Sequence, residues 1–375
     1  MGIEKGRISS RQATFLIANT ILATGILFLP ALMAREAGQD SWASVLIAAF
    51  FGLLLGALVV SLGLRFPGKN IVEYASELLG PWGGRALGIL LALFFFYLNG
   101  IIIREFGELL VTAVMPETPL VVFNALLVIM AAYGVYLGLE VFARVNEIIF
   151  PFSLLVGLVT LALAVPEMDF FQLQPVLVHS FVHILRGAGS LFAFFGEGMV
   201  FTMFLPCLRR PEEAHWVNLQ VVFLLVAAGV STIAGVIALF GAEETARLVF
   251  PTYELAKTVH LAGFLERIES LIVGVWVAAV GLKVMVIYYA AVVAFAQSLG
   301  LQDYRPLVLP SGLVLVALSI LEFADNDHVR EFLARYWGPF GITVQAGIPL
   351  LLFLLALARK KGISEKEAPG QGEGN

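Results

Sequence analysis

One acid stands inside an apolar run, between two glycines: Phe194-Phe195-Gly196-Glu197-Gly198-Met199-Val200-Phe201-Thr202-Met203-Phe204-Leu205-Pro206. A charge at the centre of a membrane helix costs about 2.5–3.5 kcal/mol on insertion scales, and the flanking glycines weaken the helix where the charge sits. Glu197 could pair with a ligand ammonium, take a proton or sense a cation. It could equally bond backbone groups freed by Gly196 and Gly198, or pair with Lys283, which falls near the middle of another apolar run, 269–298. A third feature is Ala23-Thr24-Gly25-Ile26-Leu27-Phe28-Leu29-Pro30. If the helix unwinds at Thr24-Gly25-Ile26, the following half-helix presents unpaired N–H groups and the positive end of its dipole, which is carboxylate-binding chemistry. The alternative is that Gly25 only permits close helix packing.

Further candidates share a helix face with these or flank them. Tyr97, Ile101, Arg104 and Glu108 follow i, i+4, i+7, i+11 spacing and so line one side of a helix. Tyr97 and Ile101 read as pocket wall; Arg104 with Glu105 or Glu108 reads as an outer gate, or Arg104 and Glu108 as a plain i, i+4 pair. Met199, after the Glu197 break, and Ile287, one turn beyond Lys283, could floor a small apolar pocket or simply pack the core. His179, His183, His215, His260 and His328 show no metal-binding spacing, and no metal or cofactor is expected. There is no phosphate-cradling glycine loop and no nucleophile elbow, and one acid without a partner is not a reaction centre, so the chain reads as a non-enzyme.

The elements that must position these residues are membrane helices. The chain is 59% hydrophobic and 14% charged, against about 25% charged for a soluble domain. Its net charge of −5 leaves no basic stripe for nucleic acid, and its single Cys207 excludes an intrachain disulfide. Apolar runs predict ten spans: 12–33, 42–64, 86–113, 120–137, 148–165, 188–208, 216–240, 269–298, 307–323 and 340–357. An even number puts both termini on one side. Fourteen Lys and Arg flank that side against seven on the other, which places the termini in the cytoplasm.

The Gly-interrupted spans one and six, each ending in Phe-Leu-Pro, predict two inverted repeats of five spans. Residues 1–165 form the first and 188–361 the second, joined by an outer connection over 166–187, with 362–375 a disordered cytoplasmic tail. Between the spans, 71–79 reads as an amphipathic helix stopped by Gly80-Pro81. Two short helices are expected within 241–267, and another amphipathic piece over 327–337.

Gly25-Ile26-Leu27-Phe28-Leu29-Pro30, Gly138-Leu139-Glu140-Val141-Phe142-Ala143-Arg144, Phe195-Gly196-Glu197 and Phe250-Pro251 occur in one order, together with Gly263-Phe264-Leu265-Glu266-Arg267-Ile268-Glu269. In this the chain resembles the spore germination permease family, the polytopic B subunits of nutrient germinant receptors, within the amino acid–polyamine–organocation transporter superfamily. The resemblance runs from Ile8 to the tenth span. It implies a LeuT-type fold with discontinuous helices one and six, and a small amino acid as ligand, held by its carboxylate near Gly25. It also implies partner A and lipoprotein C subunits in the spore inner membrane. Lys283 resembles the lysine that stands in for sodium in sodium-independent relatives. The function expected is nutrient sensing, binding an amino acid such as alanine or a branched aliphatic one at the midplane and signalling germination. The alternative is a proton-coupled or exchanging amino-acid permease working by alternating access.

Overall fold

The computed structural model describes residues 6–258, 268–323 and 326–362. Backbone in hydrocarbon must satisfy its own hydrogen bonds, and these apolar sequences accordingly fold as helices. Among the described residues, the only extended pairing is a parallel bridge between Ile8 and Leu208. The helices are α1 (Ser10–Ala37), α2 (Ser41–Arg65), α3 (Ile71–Ala113), α4 (Leu120–Leu137), α5 (Leu139–Ala164), α6 (Phe181–Gly196) and α7 (Phe201–Phe204). They continue with α8 (Ala214–Arg247), α9 (Pro251–Thr258), α10 (Ile268–Ser298), α11 (Arg305–Leu321), α12 (Asn326–Phe332), α13 (Gly338–Gln345) and α14 (Gly347–Ala358).

Seven of the described helical stretches are long and apolar enough to cross a membrane, or eight if one bent pair is a single span. The ten expected spans are therefore met in part. The stretch Ser10–Arg65, counted once, contains both α1 and α2, divided by a 3-10 turn at Gly38–Asp40. The expected ninth span, α11, is apolar but shorter than the others.

Local signals in the sequence set several ends. Ser9 caps α1 and Asn70 caps α3, each in a capping box with the residue three positions on, Gln12 and Glu73. Gly80, at φ 84°, breaks the helix after 71–79 as expected, and Gly241, at φ 76°, bends α8. The helix of the sixth span starts at Phe181 rather than at 188, so the connection is shorter than predicted. His183 and Arg186 lie on its exposed side while Ile184, Gly187 and Ala188 are buried, so the two polar residues do not interrupt it. The second of the two short helices expected within 241–267, and the tail from 363 onward, fall wholly or partly outside the described residues.

Helices α1 and α10 are innermost. The first packs along α8 and α6, the second along α3 and α5. Both described ends of the chain reach the same face of the bundle, since Ile8 pairs with Leu208 and the Arg65 guanidinium at the end of α2 donates to the Lys361 carbonyl at 2.8 Å.

The expected helix breaks take a different form. α1 runs unbroken through Thr24-Gly25-Ile26. Glycine permits a break without imposing one, and here nothing draws the backbone out of its ladder. The irregularity comes one turn later: Pro30 has no N–H to give the Ile26 carbonyl, and the Thr252 hydroxyl of α9 donates to it instead, at 2.6 Å. The sixth span is not unwound at Glu197 either. It tightens to a 3-10 turn over Glu197–Val200 before α7, and it bends by 43° between Phe181–Gly189 and Leu191–Cys207. The tenth span carries irregularities that periodicity did not predict, a π-helical turn at Leu333–Trp337 and an interruption at Ala346 between α13 and α14.

Candidate functional site

The 3-10 turn explains how three consecutive residues serve three neighbours. At three residues per turn, successive side chains leave the axis about 120° apart. Gly196 faces the tenth span, where a β-carbon would lie 2.0 Å from Gln345 Oε1. Gly198 faces α1, its absent β-carbon falling 3.6 Å from Ile21. Between them Glu197 points to α10, and Lys283 Nζ lies 2.8 Å from its Oε2. Both side chains are essentially sealed from solvent, at 0% and 1% exposure. The aligned hydrogen bond of that ammonium goes to Thr24 Oγ1 on α1, at 2.7 Å, and Glu197 Oε2 is left as an ion-pair contact without an aligned donor. The Phe194 ring lies 5.6 Å from the ammonium and shields it.

Glu105 joins this cluster. It is buried beside Thr24 and within electrostatic reach of Lys283 and Glu197. The sequence grouped it with Arg104 and Glu108 as a gate, and that placement is corrected. Adjacent residues on a helix diverge by about 100°, so Glu105 faces the Lys283 cluster while its neighbour Arg104, also buried, reaches along the helix to Glu108. Arg104 and Glu108 form an i, i+4 ion pair of their own at 2.7 Å.

The remaining candidates scatter around this centre. Tyr97 stands apart, edge-on against Phe332 and Phe340, with ring centres at 6.0 and 5.8 Å. Ile101, Met199 and Ile287 sit in the main apolar core, and Ile26 is partly buried beside it. Gly25 borders a cavity of about 40 Å³ with Phe194 and Phe195, room for a water or two and too small for an amino acid. The structure thus gathers Thr24, Glu105, Glu197 and Lys283 and leaves Tyr97, Arg104 and Glu108 outside. Sequence reasoning missed Gln345, an uncharged amide in an apolar run. The available signal was Pro349, which deprives the Gln345 carbonyl of its helical donor.

A larger cavity, about 300 Å³, lies between α1, α5, α8, α9 and α10. Five of its six polar side chains are already engaged, Thr232 being the exception. Asn19 donates to the Ala279 carbonyl, Thr252 to Ile26, and Ser153, Thr160 and Ser231 back-bond within their own helices. Leu158 on its rim is exposed, so the space is apolar and opens sideways, unsuited to a zwitterion. Among the described residues no group of three or more His, Cys, Asp and Glu could hold a metal ion.

Ionisable side chains buried among membrane helices are costly and mark a functional site, and comparison with known proteins identifies the fold and the family. Over 96% of this chain and 99% of the other, the fold matches the crystal structure of MhsT in complex with L-phenylalanine, with a TM-score of 0.59 at 13% identity. That likeness is one of fold, of the LeuT type. In sequence the chain is 29% identical to spore germination protein KB of Bacillus subtilis (strain 168), over 96% of this chain and 97% of that protein. It is 23% identical to spore germination protein YndE of the same organism, over 95% and 98%. Neither likeness is to an enzyme. The pattern of one family extends over residues 7–327, most of the helical bundle and all four members of the buried cluster, and the chain belongs to that family, the spore germination proteins.

Proposed function

We propose that the chain is the membrane-embedded nutrient-sensing subunit of a spore germinant receptor, and that it binds a small amino acid where α1, α3, the Glu197 turn and α10 meet. The observation that carries this reading is charge balance. One ammonium, Lys283, is paired with Glu197, and a second buried carboxyl, Glu105, lies within its electrostatic reach with no cation of its own among the described residues. Buried charge is tolerated only when paired, so the cluster is complementary to one more positive group, and an amino acid's ammonium is such a group. Ile101, Met199 and Ile287 would bound the space around an alanine-sized or branched aliphatic side chain, with Gly25, Ile26, Gly196 and Gly198 allowing close backbone approach. Tyr97 would wall the path toward the outer side, and Arg104 with Glu108 would gate it.

Binding there signals only if it favours one conformation over another. In this reading the change passes to the A and lipoprotein C subunits in the spore inner membrane, with both termini of this chain in the cytoplasm. The test uses the full chain in nanodiscs and in proteoliposomes with radiolabelled L-alanine and L-valine. Saturable binding without uptake supports a sensor. Uptake above that of protein-free liposomes would make the chain an alternating-access permease, and no binding of any common amino acid overturns the reading.

A further inference from the structure

A bound amino acid also needs a donor for its carboxylate. The expected source, free N–H groups at a break in α1, is absent because α1 is continuous there. Lys283 is engaged by Glu197 and Thr24. Among the described residues, the buried side-chain nitrogens without a partner are Arg104 Nε, Asn146 Nδ2 and Gln345 Nε2. Only the last of these is placed against the Glu197 turn. Gln345 is 1% exposed, and its amide lies in a niche made by two glycines. A β-carbon would fall 2.0 Å from its Oε1 at Gly196 and 3.3 Å from it at Gly341. Neither amide atom has a hydrogen-bond partner. Leaving them so is costly, and an apolar side chain of the same length would avoid the cost.

The backbone at this point is also irregular. Gln345 ends α13, Ala346 forms a turn between α13 and α14, and Pro349 supplies no N–H to the Gln345 carbonyl. The interruption in span ten therefore faces the tightened turn of span six, so two irregular segments meet at one buried point.

We infer that Gln345 receives the carboxylate of the bound amino acid, its Nε2–H donating to a carboxylate oxygen while the ligand's ammonium faces Glu105 and Glu197. This rests on the amino-acid reading above and sharpens it. The site then selects α-amino acids over simple amines, and it does so through span ten rather than through a break in span one.

The test measures the affinity of the nanodisc-embedded chain for L-alanine, or for whichever common amino acid the wild type binds, together with Tm. Gln345→Met keeps the length of the side chain and removes both polar atoms. It is expected to weaken binding by about ten- to a hundredfold, the loss of a hydrogen bond to a charged group, with Tm unchanged or raised because an unsatisfied buried amide is gone. Gln345→Glu places a carboxylate against the ligand's own and is expected to bind more weakly still. Gln345→Met binding as tightly as wild type, Gln345→Glu binding as tightly as wild type, or a weakened Gln345→Met with a lowered Tm would each overturn the inference. Wild-type protein that binds no amino acid would instead overturn the functional reading on which it rests.

Discussion

At the scale of single residues, the buried cluster behaves as a unit whose members cannot be removed one at a time. Lys283→Met leaves Glu197 and Glu105 without a cation in an apolar interior, and breaking a buried pair in this way costs about 3–5 kcal/mol. Thermal unfolding in detergent should show a large drop in Tm for Lys283→Met and recovery of most of it in the double variant Lys283→Met/Glu197→Gln. A double variant no more stable than the single one would mean that the ion pair is not the contact that matters. Part of this cluster was legible in the sequence, because ionisable residues in long apolar runs are expensive and stand out, as Glu197 and Lys283 do. Glu105 was visible but misplaced, since adjacent residues on a helix diverge by about 100° and spacing alone could not fix which of the two buried neighbours, Arg104 and Glu105, faces Lys283. Gln345 carries no charge, and its importance arises from Gly196 on a distant span, a pairing that only the packed structure reveals.

At the scale of elements, the helix ends set by capping and by φ were legible and the interior breaks were not. Asn70 with Glu73 and Gly80 mark their boundaries through local chemistry. Gly25 and the Gly196–Gly198 pair only lower the cost of distortion, and tertiary contacts decided that α1 would stay helical and that span six would tighten. One contact between α1 and α9 is the Thr252 hydroxyl on the Ile26 carbonyl, which Pro30 leaves without a backbone donor. Thr252→Val keeps the shape and removes that donor, stranding the carbonyl at a cost of about 1–3 kcal/mol. Amide hydrogen exchange should then quicken across Pro251–Thr258 while α3 and α10 stay protected. Unchanged exchange in α9 would show that the hydroxyl does not hold it.

At the scale of the whole molecule, hydrogen bonds among the described residues tie segments together on both faces of the bundle. On the face that carries the chain ends, the Ile8 N–H donates to the Cys207 carbonyl at 2.9 Å, Arg7 bonds the Pro206 carbonyl, and Ser10 bonds Glu213. On the other face, Asp40 accepts from the backbone N–H groups of Leu177 and His179, and Arg35 bonds the Ala246 carbonyl. Cys207, the single cysteine of the chain, is buried at the first of these ties and serves as a native reporter. Ile8 is wholly buried, so Ile8→Ala loosens that tie. A loss of about 1.4 kcal/mol there makes the open form about tenfold more populated. Maleimide labelling of Cys207 should accelerate accordingly, and an unchanged rate would mean that the N-terminal segment does not control that face.

In the proposed site Lys283 is paired with Glu197, and the second buried carboxyl, Glu105, leaves a place for the ammonium of an amino acid. Equilibrium binding of radiolabelled amino acid to the wild type and to Glu105→Gln, side by side in nanodiscs, tests it most directly. Glu105→Gln leaves Lys283 and Glu197 balanced, with no charge for a ligand to complete. Saturable binding to the wild type is expected, with a loss of about tenfold or more in Glu105→Gln, the worth of a charge-assisted hydrogen bond, and with Tm retained. A well-folded Glu105→Gln protein that binds as tightly as the wild type would contradict it.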